Sequence, residues 1–168
     1  MNITIRDETE SDINAIAEVT KKAFETLAVS NHTEEFIIKA LREANALVIS
    51  LVAEVDGKVV GHIAFSPVTI SDETPGWYGL GPVSVLPELQ RQGIGKTLIH
   101  KGLPSLRALG AKGCALVGDP GYYGRFGFRS PSNMVVDGVP QQYFLVLSFE
   151  ENKSHGAVVF HEGFNAKG

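Results

Sequence analysis

The densest chemistry in the chain lies in Val83-Ser-Val-Leu-Pro-Glu-Leu-Gln-Arg-Gln-Gly-Ile-Gly-Lys96. This segment passes from an apolar run, through a glycine-bearing turn, into an apolar periodicity of helical type. Such a junction presents unpaired backbone N–H groups and the positive end of a helix to an anion. Gly93 and Gly95 let a ligand approach the main chain closely. A bound diphosphate is therefore the first expectation, with the N–H groups of Arg91, Gln92, Gly93, Ile94, Gly95 and Lys96 as donors. Arg91 and Lys96 add charge, although Lys96 reads equally well as a solvated helix residue.

Spacing separates the phosphate-binding patterns better than glycine content does. The pattern Gly-x-x-x-x-Gly-Lys-Ser/Thr finds its end in Gly95-Lys96-Thr97, but position 90 is Gln and the tight wrap round a phosphate loses its first hinge. Asp119, after Leu116-Val-Gly118, imitates the metal-binding Asp of a nucleotidase and keeps that rival open. The dinucleotide pattern Gly-x-Gly-x-x-Gly fails at Leu98. A third pattern, Gln/Arg-x-x-Gly-x-Gly/Ala, is met by Gln90, Gly93 and Gly95.

With Val83-Ser-Val85 and Pro87 before it, Gln90-Arg-Gln-Gly-Ile-Gly95 resembles the coenzyme A loop of the GNAT superfamily of N-acetyltransferases. A second block, Asp119-Pro-Gly-Tyr-Tyr-Gly-Arg-Phe-Gly-Phe128, resembles the segment after the fifth strand of these enzymes, where a Tyr precedes Gly-Phe by four residues. Tyr123 with Gly127-Phe128 has that spacing. The resemblance runs from about Asn2 to Phe149 and is nearest to a bacterial branch whose acceptor is generally unassigned.

The resemblance implies an α/β (α+β) fold, with a mixed, mostly antiparallel sheet flanked by helices and splayed between the fourth and fifth strands. It implies a single N-acetyltransferase domain over residues 1–168 and acetyl-CoA as cosubstrate, with no metal. The pantetheine arm would pair with the backbone of Val83, Ser84 and Val85, and an N–H near Val85 would polarise the thioester carbonyl. Tyr123 matches the position that often protonates the departing thiolate. It also reads as a hydroxyl that only orients sulfur, or as packing, and Tyr122 as core or substrate wall. Asp119-Pro120 departs from the Asn common at the start of this helix, which leaves Asp119 the role of helix cap.

The implied reaction moves an acetyl group from acetyl-CoA to a primary amine of a small molecule or protein by direct attack. An alkylammonium ion with a pKa near ~10 is only about one part in a thousand neutral at pH 7, so a base is needed. Glu35, His32 and His62 are candidates, as is water. Glu34 and Glu35 read more simply as complements to a helix dipole. The contrasting reading is an acyl-CoA-binding or sensing module of the same fold with no acceptor pocket.

The elements that must position these groups follow from periodicity and turn chemistry. Ile3 and Ile5 alternate as a half-buried strand does. Thr9 or Ser11 caps a helix burying Ile13, Ile16, Ala17, Thr20 and Phe24, and Ala28 to Asn31 breaks the pattern. Thr33 caps a second helix with Phe36, Ile37, Ala40 and Leu41 on its apolar side. Leu47 to Val55 and Lys58 to Val68 form a hairpin at Asp56-Gly57. Trp77 to Val85 is a fourth strand, interrupted at Gly79, Gly81 and Pro82, where a bulge or splay frees ladder groups.

The helix after the glycine loop buries Ile94, Leu98, Leu103, Leu106 and Leu109 and ends at Gly110, with a kink or break near Gly102-Leu-Pro104. Cys114 to Gly118 is the fifth strand, and Asp119-Pro120 starts a short helix ending near Gly127. Met134 to Val139, Gln141 to Phe149 and Ala157 to Phe160 are further strands, with Glu150 to Gly156 as a polar connector.

Composition limits the function classes. The 168 residues are 43% hydrophobic and 20% charged, ordinary values for a globular domain with its own core. A net charge of −4 lacks the basic surface that nucleic acid requires. Cys114, the single cysteine, excludes an intrachain disulfide and reads as core. His32, His62, His100, His155 and His161 show no ligand spacing for a metal. No signal stretch or membrane span is read, so the expected location is the cytoplasm. The sequence leaves a homodimer open.

Overall fold

The computed structural model describes residues 1–28, 30–151 and 154–168. Val29, within the expected break at Ala28 to Asn31, and Asn152 and Lys153, within the expected connector, lie outside the described residues. Along the chain run β1 (Ile3–Asp7), α1 (Ile13–Phe24), α2 (Glu34–Glu43), β2 (Ile49–Val55), β3 (Lys58–Ile70) and β4 (Trp77–Val85). There follow α3 (Ile94–Ala108), β5 (Gly113–Val117), α4 (Pro120–Tyr123), β6 (Met134–Val135), β7 (Phe144–Ser148) and β8 (Gly156–Phe160).

The strands lie in the order β1-β2-β3-β4-β5-β7, with β8 added to the far end of β3 and β6 beside β8. Pairing is antiparallel except between β4 and β5 and between β6 and β8. This is the mixed, mostly antiparallel sheet that was expected. Asp56 and Gly57 carry φ of 52° and 75°, the paired left-handed conformation that closes a two-residue hairpin.

β4 and β5 pair only from Trp77 to Gly79 against Gly113 to Ala115. Beyond that point β4 continues beside β3 to Val85, while β5 continues beside β7 to Val117. The strands therefore part after Gly79. Gly81 and Pro82 fall together opposite Ala64, between the pairs Ile63↔Val83 and Phe65↔Leu80, and form a bulge at the mouth of the split.

Alternation along β2 and β3 assigns the sheet faces. Val52 packs with Ile16 of α1 and Ile38 of α2. On the other face, Gly61 lies against Ile94 and Leu98 and Phe65 against Gly102, all of α3. The expected helix stripes are corrected by about one position. α1 buries Ile16, Val19, Thr20 and Ala23; α2 buries Ile37, Ile38 and Leu41; α3 buries Ile94, Leu98, Ile99, Gly102 and Leu106, leaving Leu109 exposed.

The expected break at Pro104 does not occur: α3 runs unbroken from Ile94 to Ala108. Pro104 is exposed, so the carbonyl that loses its partner faces water, while the buried stripe holds both halves on the sheet. Gly110 ends the helix with φ 86°. The strand expected over Met134 to Val139 is two residues long, paired only with Gly156 and Ala157, because the chain turns at Gly138 with φ 78°. A turn of 3₁₀ helix at Gln141–Tyr143 precedes β7. Among the described residues no helix is long and apolar enough to cross a membrane.

Candidate functional site

The glycine loop is an open cup of donors. Gln90 N–H reaches Pro87 O at 3.4 Å, and the next main-chain bond is Thr97 N–H to Gly93 O at 3.0 Å. From Arg91 to Lys96, no N–H finds an acceptor among the described residues. Arg91 and Gly93 carry φ of 65° and 90°, which turns successive N–H groups toward one side. Arg91, Gln92, Gly93 and Lys96 are exposed, whereas buried Ile94 pins the loop to the sheet over Gly61. The Gln90 side chain donates to Val85 O at 3.0 Å and ties the loop to the end of β4.

β4 presents the second group of contacts. Leu86 N–H bonds Val60 O at 2.9 Å, so the two-residue period turns the main chain of Ser84 toward His62 of β3. Val83 and Val85 then turn their N–H and C=O groups to the opposite edge, into the split with β5. The Ser84 hydroxyl lies 3.2 Å from that of Thr20 in α1.

Across the split stands α4. The Asp119 carboxylate accepts Gly121 N–H at 2.9 Å, the expected N-cap, and Gly127 closes the following turn with φ 95°. Tyr122 and Tyr123 lie edge to face, with centroids 5.0 Å apart at 89°, and serve different places. Tyr122 packs its hydroxyl against Gly95 at the start of α3, under the Arg125 guanidinium at 4.8 Å. Tyr123 packs on Gly118 and lines a cleft of about 350 Å³ in the split. Burial pushes its phenol up to about 12.

The cleft brings Leu80, Val83 and Val117 of the parted strands together with Phe24 of α1, Glu34 and Ile37 of α2, and Phe160 and Phe164 near the C-terminus. Glu34 is the carboxylate there. Its two oxygens share the Ser30 hydroxyl at 2.8 and 2.7 Å. Glu35 and His32 line an adjoining hollow with Thr20 and Lys21; it shares Phe24 and Glu34 with the cleft but not Tyr123.

His62, one of the candidate bases, does not line the cleft. It is fully buried beneath α1 and α2 and bonds Ser50 Oγ at 2.7 Å through Nε2. Ser50 in turn donates to Glu8, which Arg42 grips at 3.1 and 2.9 Å. Since Ser50 gives its proton to Glu8, it accepts from Nε2–H, and His62 Nδ1 finds no partner among the described residues. Burial pushes His62 down to about 4, opposed by the Glu8 charge. Burial alone would raise the Glu8 carboxyl, but hydrogen bonds from Arg42 and Ser50 outweigh it and hold it below its ordinary value.

Sequence reasoning passed over the cleft's other contributors. Glu34 was visible only as a dipole complement, and the clue was Ser30 four residues before it. Phe160 sits over Gly79, where a Cβ would stand 2.9 Å from its ring, at the point where the strands part. No local signal joins a C-terminal aromatic to a fourth-strand glycine. Cys114 is buried in the core, and burial raises its thiol. Among the described residues no cluster of His, Cys, Asp and Glu is arranged to hold a metal ion.

These features match known proteins. An N-acetyltransferase of Escherichia coli K12, YhbS, named as uncharacterised, is 37% identical over 126 residues, 74% of this chain and 72% of its own. The crystal structure of YhbS in complex with CoA superposes with a TM-score of 0.90 at 32% identity, covering 100% of this chain and 94% of that one. A GNAT family acetyltransferase from Brucella melitensis, in complex with acetyl-CoA, gives a TM-score of 0.87 at 50% identity, with 97% and 98% covered. Residues 13–128 match the model of the acetyltransferase (GNAT) family, a span that takes in both the glycine loop and Tyr123. The chain belongs to the GNAT family of acetyltransferases.

Proposed function

We propose that the chain transfers an acetyl group from acetyl-CoA to a primary amine by direct attack, within one acetyltransferase domain. The observation that carries this reading is the unbroken run of N–H groups from Arg91 to Lys96 with no acceptor among the described residues, beside a split lined by Tyr123. The first feature suits a diphosphate, and the second a peptide-like arm leading to a reactive end. The YhbS and Brucella structures, solved with CoA and acetyl-CoA, support the same reading.

Acetyl-CoA supplies an activated acyl group, and the residues here supply geometry. Arg91, Gln92, Gly93, Ile94, Gly95 and Lys96 donate main-chain N–H groups to the diphosphate, with the Arg91 and Lys96 charges adding attraction. Val83 and Val85 pair with the pantetheine amides along the open edge of β4, while Ser84 holds the strand to β3. The free Val85 N–H polarises the carbonyl, because Gln90 already occupies the Val85 carbonyl. As the N–C bond forms and the C–S bond breaks, the amine gives up a proton to water and sulfur gains one. In this reading the phenol of Tyr123, which lines the same cleft, donates to that sulfur.

Thiol release from acetyl-CoA across an amine panel tests the reaction. Calorimetric titration of CoA into Gly93→Val tests the loop, since a branched side chain is strained at φ 90° and blocks approach to the N–H groups. A loss of affinity of about 10-fold or more in a folded variant is expected. Unchanged affinity would reject the diphosphate assignment, and stabilisation by Mg-ATP but not by CoA would favour the nucleotide reading.

A further inference from the structure

We infer that the acceptor is a compact monoamine with an apolar body and no carboxylate, its ammonium group held by Glu34. The inference rests on the acetyltransferase reading and names the substrate class of that site. The cleft wall beyond the β4 edge is Phe24, Ile37, Leu80, Val117, Phe160 and Phe164, whose side chains are all hydrocarbon. Glu34 and Tyr123 are its ionisable members, and among the described residues no Lys, Arg or His lines it; Lys21 and His32 line the adjoining hollow that shares Phe24 and Glu34.

Charge and size each exclude acceptor classes. An amino acid or peptide C-terminus would bring a carboxylate into apolar surroundings beside Glu34, with no cation to pair it among the described residues that line the cleft. An unpaired buried carboxylate costs several kcal/mol, more than any gain from the rest of the contact. A diamine would leave its second ammonium without an anion. A sugar-based amine would strand hydroxyls against phenyl rings. The cleft, at about 350 Å³, is near the lower end of small-molecule sites, and in the acetyltransferase reading it must also admit the acyl end of the cosubstrate.

Glu34 is prepared for this task. The single Ser30 hydroxyl proton, shared at 2.8 and 2.7 Å, fixes the carboxylate plane and leaves lone pairs for a second donor. Glu34 is half-buried, so the pair it forms with an ammonium is only partly screened. Phe160 and Phe164, with centroids 5.5 Å apart, and Phe24 supply the surface for the amine's body.

The test compares 2-phenylethylamine with L-phenylalanine, which differs only by the carboxylate, and butylamine with butane-1,4-diamine, using thiol release by the full chain. The monoamines should exceed their partners in kcat/KM by more than about 10-fold. Glu34→Gln, which keeps shape and the Ser30 contact, should raise the monoamine KM about 10- to 100-fold and leave acetyl-CoA affinity unchanged. Equal use of L-phenylalanine, or an unchanged monoamine KM in Glu34→Gln, overturns the inference. Calorimetry with acetyl-CoA separates the two failures: binding without turnover of either monoamine overturns the acceptor class alone, whereas no binding overturns the acetyltransferase reading with it.

Discussion

Tyr123 is placed as much by a missing atom as by its own contacts. A Cβ on Gly118 would stand 2.6 Å from the Tyr123 ring, so the glycine at the end of β5 makes the space the phenol occupies. Phe126 and Phe128, with centroids 6.4 and 6.0 Å away, close the other sides. Burial raises the phenol to about 12, against roughly 8.5 for an ordinary thiol. The proton therefore stays on Tyr123 at neutral pH. Hydrogen bonding to the charge developing on sulfur is the larger part of its help. Tyr123→Phe should lower kcat on the order of 100-fold while the acetyl-CoA Kd, read by calorimetry, stays within about twofold. Wild-type kcat should show no alkaline limb from this group below about pH 11. An equal kcat in the variant would remove Tyr123 from the chemistry. Tyr123 was legible in the sequence because its spacing to Gly127-Phe128 is local. Gly118 and Glu34 were not, because their meaning comes from residues that only the sheet brings near.

The same division holds for whole elements. The Asp56-Gly57 hairpin, the Asp119 cap and the Gly110 stop were readable because each is fixed by a few adjacent φ angles. Pro104 does not break α3, because tertiary packing holds the helix across it. α3 lies close on the sheet because Gly102 has no side chain: a Cβ there would stand 2.6 and 2.8 Å from two atoms of the Phe65 ring. Two effects compete in Gly102→Ala. Helix propensity favours alanine by about 1 kcal/mol. Overpacking a core costs typically about 1–3 kcal/mol, and Phe65 is fully buried with no room to retreat. Packing wins. Gly102→Ala should lower unfolding stability by about 1–2 kcal/mol in urea titration, with m unchanged. Since α3 carries the glycine loop at its first turn, CoA affinity should fall in the same variant. A stabilised Gly102→Ala would mean that propensity, and not the approach to Phe65, governs this contact.

Across the whole molecule, buried polar groups lock distant parts of the chain together. Arg6 reaches Asp12 at 2.7 and 3.0 Å and Glu54 at 2.9 and 2.6 Å, joining β1, the start of α1 and β2. Arg42, Glu8, Ser50 and His62 join α2, the end of β1, β2 and β3. These groups set how stability depends on pH. Hydrogen bonds from Arg6 hold the Asp12 carboxyl well below the usual carboxylate range, and Glu8 is lowered too. Their stabilisation is present above about pH 4 and is lost as pH falls through the lowered folded values. His62 acts earlier. Above its unfolded pKa of 6.5 the ring is neutral in both states and contributes no pH dependence. As pH falls below 6.5 the unfolded chain takes up a proton that the buried ring refuses until about pH 4, so stability drops across that window. The full loss is on the order of 3 kcal/mol, a large share of the roughly 5–15 kcal/mol typical of a domain. Urea midpoints should therefore fall between pH 7 and pH 4.5 in the wild type. In His62→Gln, whose amide can still donate to Ser50, that slope should flatten and leave only the carboxylate loss at lower pH. A wild-type midpoint that does not move between pH 7 and pH 4.5 would place the acid sensitivity of this fold in its carboxylates and not in the imidazole under α1.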